Sequence, residues 1–554
     1  SCENSWLLNK VLREEWGFDG IVMTDWGAMN DRSRALAAGL ELEMPSSQGK
    51  TDRQIIQDVQ AGRLPEKVLD QAVKRLLLWI QKGRPCGPTK DYDLEEQHVF
   101  ARRVAGETAV LLKNNGILPL KKGTKLAFIG AFAATPRYQG GGSSHVNSVR
   151  VSCALEAAGP LAQILYEPGF SANGDTLGPH ALEAAVRIAS QAECAVVFAG
   201  LPDSWESEGY DRVGLELPPE QNTLIAAVAA VQPNTVVVLH NGSPVIMPWL
   251  NQVAAVLEMY LAGEAVGEAT ADLLFGDVNP SGKLAETFPL RLHDTPSYLD
   301  FPGDGRTVNY REDIYVGYRW YDAREIAVAF PFGHGLSYTN FTYTGIELDQ
   351  THLDSSGTLT VTVRVKNTGK CAGKEIVQLY VHSPPGAQDA PRPPKELKGF
   401  SKLELEPGEE KAAQFRLDAR SFAYYETRLS GWYVPSGLYT ILAGGSSRSL
   451  PLQTQVSIRS RQRLPLIMDE ATTVQDVLIH GSEAQVAQLR ALLEKTSFGT
   501  QLYAAPENLG ASTQLLLEDM AKGLPLHALR SFGDVSNEEI EQLRQFLFSA
   551  EGGA

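Results

Sequence analysis

Cys194-Ala195-Val196-Val197-Phe198-Ala199-Gly200 is a seven-residue run with no charge and no turn former before its last residue. Its length and apolar continuity fit a strand covered on both faces, as in a mostly parallel sheet. Similar runs flank it at 126–131, 163–166, 235–240 and 254–260, separated by helical patterns such as 181–192. Apolar strands alternating with helices predict an α/β sandwich domain over residues 91–290. Ligands in such sheets bind at the loops that follow the carboxyl ends of the strands.

Towards the N-terminus, Trp6, Leu7, Val11, Leu12 and Trp16 are spaced as one face of a helix, and residues 20–24 read as a strand that ends on Asp25-Trp26-Gly27. A helix capped by Asn30 or Asp31 then leads to a short strand at 40–44. Two such units predict that residues 1–90 are the C-terminal part of a (β/α)8-type barrel, whose working face lies at the carboxyl ends of its strands.

Towards the C-terminus, residues 291–340 connect to a region where the apolar period becomes 2, as in Leu359-Thr360-Val361-Thr362-Val363-Arg364-Val365. Turn signals such as Pro407-Gly408 punctuate this region and predict a seven-stranded, fibronectin-III-like β-sandwich at 341–458, with Tyr380, Phe415 and Tyr439 in its core. Residues 459–554 read as a helical tail, with capping boxes at Ser482/Gln485 and Ser536/Glu539.

The 554 residues carry a net charge of −16, and Lys121-Lys122 is typical of their short basic patches, so neither nucleic acid nor an anionic membrane is an expected partner. Apolar runs fall well below the ~20 residues of a membrane span. The five cysteines are scattered and form no C-x-x-C pair, which argues against a disulfide framework or a zinc ribbon and tilts the expected location towards a reducing cytoplasm. The first residues, SCENSWLLNK, include no Met and no secretory signal, so processing or a fragment is expected. A homo-oligomer is left open.

Three stretches could carry chemistry. Asp25 is a carboxylate at a strand end beside an indole. Trp205-Glu206-Ser207-Glu208-Gly209-Tyr210-Asp211-Arg212 follows the apolar strand 194–200 and mixes charges with aromatics. The loop Tyr138-Gln139-Gly140-Gly141-Gly142-Ser143-Ser144-His145 looks like a phosphate cradle but lacks the Lys-Ser/Thr of a P-loop and the spacing of a dinucleotide motif. A surface turn and a close backbone approach to a ligand are the readings left open for it.

Seven segments in order, SCENSWLLNKVLREEWGFDGIVMTDWGA, AVLLKNNGILPL, YQGGGSSH, SEGYDR, NPSGKLAETFP, EDIYVGYRWYD and FGHGLSYTNF, closely resemble glycoside hydrolase family 3, in particular its β-glucosidase-like members. The resemblance runs from residue 1 to about 458. It implies retaining hydrolysis of terminal β-D-glucosyl residues from oligosaccharides or aryl and alkyl glucosides, without metal or organic cofactor. It also implies Asp25 as nucleophile, Trp26 as a sugar-stacking platform and Glu208 as acid/base, with Glu206 the nearby competitor. Ser143 is implied as a sugar contact, or Ser144 if the alignment slips by one. Such chemistry needs two carboxyls ~5–5.5 Å apart, one ionised and one better shielded so that it keeps its proton.

Roughly 200 residues of a ~250-residue barrel precede the Thr-Asp-Trp strand in similar enzymes, and they are expected to lie outside this sequence. Other expectations are therefore a β-xylosidase, arabinosidase or N-acetylhexosaminidase of the same family, or a non-catalytic carbohydrate-binding or assembly fragment.

Overall fold

The computed structural model describes residues 1–83, 92–171, 173, 177–178, 180–384, 391–462, 464, 469, 471–497, 499 and 510–549. Cys86 and the expected domain boundary at residue 90 lie outside them. The chain divides into two compact units, Ser1–Asp93 and Leu94–Ala554. It is an α/β multidomain protein, and among the described residues no helix is long and apolar enough to cross a membrane.

In the first unit the helix Trp6–Glu15 is a wide, π-type helix, with the Trp16 amide bonded to the Val11 carbonyl five residues back. The wider step rotates the apolar stripe away from the expected face. Leu8 is buried against Ala35, Ala38 and Leu40, whereas Trp6 and Trp16 are 59% and 71% exposed. The strands expected at 20–24 and 40–44 reduce to one parallel bridge, Met23 to Leu42. The Leu42 amide donates to the Val22 carbonyl (3.1 Å) and the Thr24 amide to the Leu42 carbonyl (3.0 Å), and side chains flank this short ladder: the Val22 amide donates to Glu41 Oε2 (2.8 Å), and the Met44 amide to Thr24 Oγ1 (2.8 Å). Buried Glu41 is held in turn by Arg13 and Arg75, each at 2.8 Å. Of the two expected caps, Asp31 caps Arg32–Ala38 by accepting from the Arg34 amide at 2.8 Å. Two further helices, Lys50–Gln60 and Glu66–Lys82, complete the unit.

The second unit is built on a six-stranded sheet: β1 (Val110–Asn114), β2 (Lys125–Ile129), β3 (Gln163–Glu167), β4 (Cys194–Gly200), β5 (Thr235–His240) and β6 (Ala255–Glu258). The strand order is β1-β6-β5-β4-β2-β3, parallel except for β1. β4, β5 and β6 are buried along their whole length, because helices such as Ala181–Gln191 and Pro219–Val231 accompany a sheet of nearly unbroken apolar strands. β2 has β3 on one side and β4 on the other, so the loops leaving the carboxyl ends of β2 and β4 part company there and open a crevice. Within residues 291–340, Val328–Phe330 pairs with Phe288–Pro289, and Phe330 packs in the core of this sheet.

Among the described residues the two sheets of the β-sandwich have eight strands, where seven are expected. One sheet runs His352–Asp354, Leu452–Arg459, Gly437–Gly444, Gly373–His382 and Glu396–Leu405, and the other Glu410–Leu417, Leu359–Asn367 and Phe341–Leu348. Phe415 and Tyr439 lie in its core with Val361, Val363 and Leu379. Tyr380 does not. The alternation that sends Val377, Leu379 and Val381 inward turns Tyr380 to the opposite face, where it meets Tyr318 edge-on at 5.9 Å.

The tail forms a small helical core around Leu489, Leu493, Leu529 and Leu543. Both expected capping boxes are present, and Thr473/Asp476 adds a third.

Candidate active site

In the first unit, Thr24 is buried and its hydroxyl is tied to Met44 on both sides, which fixes the backbone where the bridge ends. The next residue, Asp25, is exposed, and its Oδ1 accepts the Trp26 amide at 2.6 Å. Gly27 adopts φ +71° and turns the chain away, leaving the Trp26 indole 63% exposed beside the carboxylate. A carboxylate next to an open aromatic face suits a sugar ring, whose C–H groups pack on indole.

In the second unit, the loops after β2 and β4 bring Ser143 and Glu208 together. The Ser143 amide donates to Glu208 Oε2 at 2.6 Å, and the Ser143 hydroxyl donates to the same oxygen. Ser144 is turned back into its own loop, donating to the Gly141 carbonyl at 3.3 Å. The glycine run therefore approaches the protein's own carboxylate loop. A Cβ on Gly142, which has φ +81°, would sit 2.6 Å from Glu208 Cβ, and one on Gly141 would sit 2.5 Å from Ser207 Oγ.

Glu208 is exposed, and the Ser143 hydroxyl, with help from the Ser143 amide, holds its carboxyl below the ordinary glutamate range. The expectation of one better-shielded carboxyl is not met at Glu208. Shielding falls on Glu206 instead: its half-buried carboxylate accepts from the Gly242 amide at 2.7 Å and from the Ser243 hydroxyl.

Several polar groups beneath these loops escaped the sequence. Arg137, Asn241 and Glu258 are all buried at or just beyond the carboxyl ends of β2, β5 and β6. Burial pushes the Glu258 carboxyl up to about 8, against the hydrogen bonds it accepts from the Tyr260 amide (2.9 Å) and Asn241 Nδ2 (3.0 Å). Glu286 is pushed up to about 7, by burial first and by Glu206 second. A carboxylate closing the apolar strand Ala255–Glu258 was the available signal for Glu258. Arg137 had none, since the groups it binds lie more than sixty residues away in sequence.

Residues 2–78 match the glycosyl hydrolase family 3 N-terminal domain, 109–338 the glycosyl hydrolase family 3 C-terminal domain, and 375–447 a fibronectin type III-like domain. Thermostable beta-glucosidase B of Acetivibrio thermocellus is 46% identical over 98% of this chain and 71% of its own length. An exo-alpha-(1->6)-L-arabinopyranosidase of Bifidobacterium breve is 42% identical over 83% of this chain, which spans 61% of that relative. The crystal structure of a Bifidobacterium adolescentis GH3 beta-glucosidase superposes with a TM-score of 0.82 at 40% identity, over 88% of this chain and 72% of that one. The chain belongs to glycoside hydrolase family 3, among its β-glucosidase-like members.

Proposed function

We propose that this chain carries both reacting carboxyls of a retaining β-glucosidase, with Asp25 as nucleophile and Glu208 as acid/base. The observation that supports the reading best is the Ser143–Glu208 pair: an exposed carboxyl presented at the strand-order crevice of a parallel sheet and gripped through one oxygen. In the first step an Asp25 oxygen bonds to the anomeric carbon. The bond from that carbon to the aglycone oxygen breaks, and Glu208 gives that oxygen its proton. In the second step Glu208, now ionised, takes a proton from water. The water oxygen displaces Asp25 and releases glucose with its configuration retained.

Ser143 favours the ionised form of Glu208, the form the second step needs. For the first step Glu208 must hold a proton, a form that gains ground when a sugar hydroxyl draws the Ser143 hydroxyl away from Oε2. Trp26 stacks on the sugar ring. The substrates are terminal β-D-glucosides, and the arabinopyranosidase relative favours testing a second glycone. The free thiols of Cys2, Cys153, Cys194 and Cys371 support a reducing, cytoplasmic setting.

The test uses the full-length product of the gene. A panel of nitrophenyl β-glucoside, β-xyloside, α-L-arabinopyranoside and N-acetyl-β-hexosaminide identifies the glycone. Asp25→Ala is expected to abolish turnover, and azide is expected to restore it with formation of the inverted glycosyl azide, because the anion then attacks from the face the carboxylate has vacated. Turnover that survives Asp25→Ala, or a rescued product of retained configuration, would remove Asp25 from the role.

A further inference from the structure

We propose that Arg137 and Glu206 are positioning residues that set the acid/base loop, an inference that rests on the assignment of Glu208 above. The Arg137 side chain, from the loop after β2, is buried, with the residue only 7% exposed. Its Nη1 donates to the Leu201 carbonyl and its Nη2 to the Glu206 carbonyl at 2.8 Å. Its Nε lies 2.6 Å from Asp203 Oδ1, an ionic contact whose direction is not that of a hydrogen bond. One planar cation thus grips three residues of the loop after β4.

Glu206 ties the same loop to the one after β5 through the Gly242 amide and the Ser243 hydroxyl. The Ser243 hydroxyl accepts from Arg212 Nη1 at 2.8 Å, and that nitrogen also reaches the Pro244 carbonyl at 3.0 Å. The segment is therefore pinned at 201, 203 and 206 on one side and at 212 on the other. Between the pins, Glu208 to Asp211 are exposed.

A pinned frame with a projecting tip is what proton transfer to a leaving group demands, since displacement of the acid by ~1 Å costs ~100-fold in rate. It also separates the two glutamates by task. Both Glu206 oxygens are held by donors of the next loop, the Gly242 amide and the Ser243 hydroxyl, whereas Glu208 is bonded to a serine that a ligand can displace.

The experiment measures kcat/KM against leaving-group pKa for aryl and alkyl β-glucosides, using full-length Glu206→Ala, Glu206→Gln, Arg137→Lys and Ser243→Ala, with Glu208→Ala as reference. Ser243→Ala removes one hydroxyl and stays informative if a charge deletion prevents folding. The expected result is a loss of about 10–100-fold on poor leaving groups for Glu206→Ala and Arg137→Lys, well beyond the loss on activated ones, in the manner of Glu208→Ala. Glu206→Gln, which keeps the acceptor for Gly242, is expected to recover to within about tenfold of the parent and to keep the alkaline limb of the pH profile. Equal losses on all leaving groups in the Glu206, Arg137 and Ser243 variants, beside a normal response of Glu208→Ala, would overturn this inference alone. Glu206→Gln as damaged as Glu206→Ala, beside a Glu208→Ala without leaving-group preference, would make Glu206 the acid and overturn the assignment of Glu208 as well.

Discussion

Charge gathers in two parts of the second unit and does different work in each. At the carboxyl ends of β2, β4 and β5, Arg137, Glu206 and Arg212 reach backbone groups of neighbouring loops: the Leu201, Glu206 and Pro244 carbonyls and the Gly242 amide. Where the α/β domain meets the β-sandwich, charges that range from buried Glu375 to exposed Lys402 are paired chiefly with other side chains. Lys283 Nζ lies 3.0 Å from Glu375 Oε2, the Tyr343 hydroxyl donates to Glu375 Oε1 at 2.8 Å, and Lys374 and Lys402 both pair with Glu107. Charge directed at backbone dictates the shape of a loop. Charge paired between side chains fastens two bodies that have shapes of their own. Substitutions in the first region should change kinetics, and those in the second stability.

The largest stability effect is expected at the fastening. Glu375→Ala takes from Lys283 its anionic partner, leaving the Gly335 carbonyl at 2.8 Å, and should cost about 3–5 kcal/mol in denaturant unfolding, with the leaving-group dependence of the folded enzyme unchanged. A stable variant with altered leaving-group dependence would erase the distinction between the two regions.

A smaller effect tests the polar layer beneath the loops. The unfolded chain ionises Glu258 above pH ~4.3, while the folded chain keeps its buried carboxyl protonated up to about 8. The folded state binds the extra proton across that window, so this residue makes stability fall as pH rises, by up to ~1.4 kcal/mol per unit. Glu258→Gln should flatten the slope between pH 5 and 8. An unaltered slope would mean that Glu258 ionises freely.

The smallest expected change separates Ser143 from the frame. Ser143→Ala removes the hydroxyl that does most to hold the Glu208 carboxyl down, so the alkaline limb of kcat/KM should move to higher pH. A limb that stays in place would show that Glu208 does not set it.

How much of this was legible depended on the distance over which a residue's partner lies. β4 and β5 are legible residue for residue, because a strand covered on both faces is apolar throughout. The tail's capping boxes were legible because both members sit within one turn. Tyr380 escapes the pattern because it is as buried as its neighbours but faces Tyr318 in a different layer, and only register tells the two faces apart. The strands around Asp25 are shorter than the apolar run at 20–24 predicts, because backbone bonds join Val22 and Thr24 to Leu42 while the side chains of Glu41 and Thr24 take the Val22 and Met44 amides on either side and end the ladder there. The motif residues Asp25, Trp26, Ser143 and Glu208 stood out by resemblance. Arg137, which holds the Glu208 loop, did not, since a lone arginine shows its partners only once the chain has folded.

The most direct test of the account is the leaving-group dependence of Glu208→Ala in the full-length enzyme. With a dinitrophenyl β-glucoside, whose aglycone departs without help, first-step rates should stay near those of the parent. With an alkyl β-glucoside they should fall by about 10²–10⁴-fold, the usual worth of a positioned acid. A uniform fall across the series, or none, would contradict the assignment of Glu208.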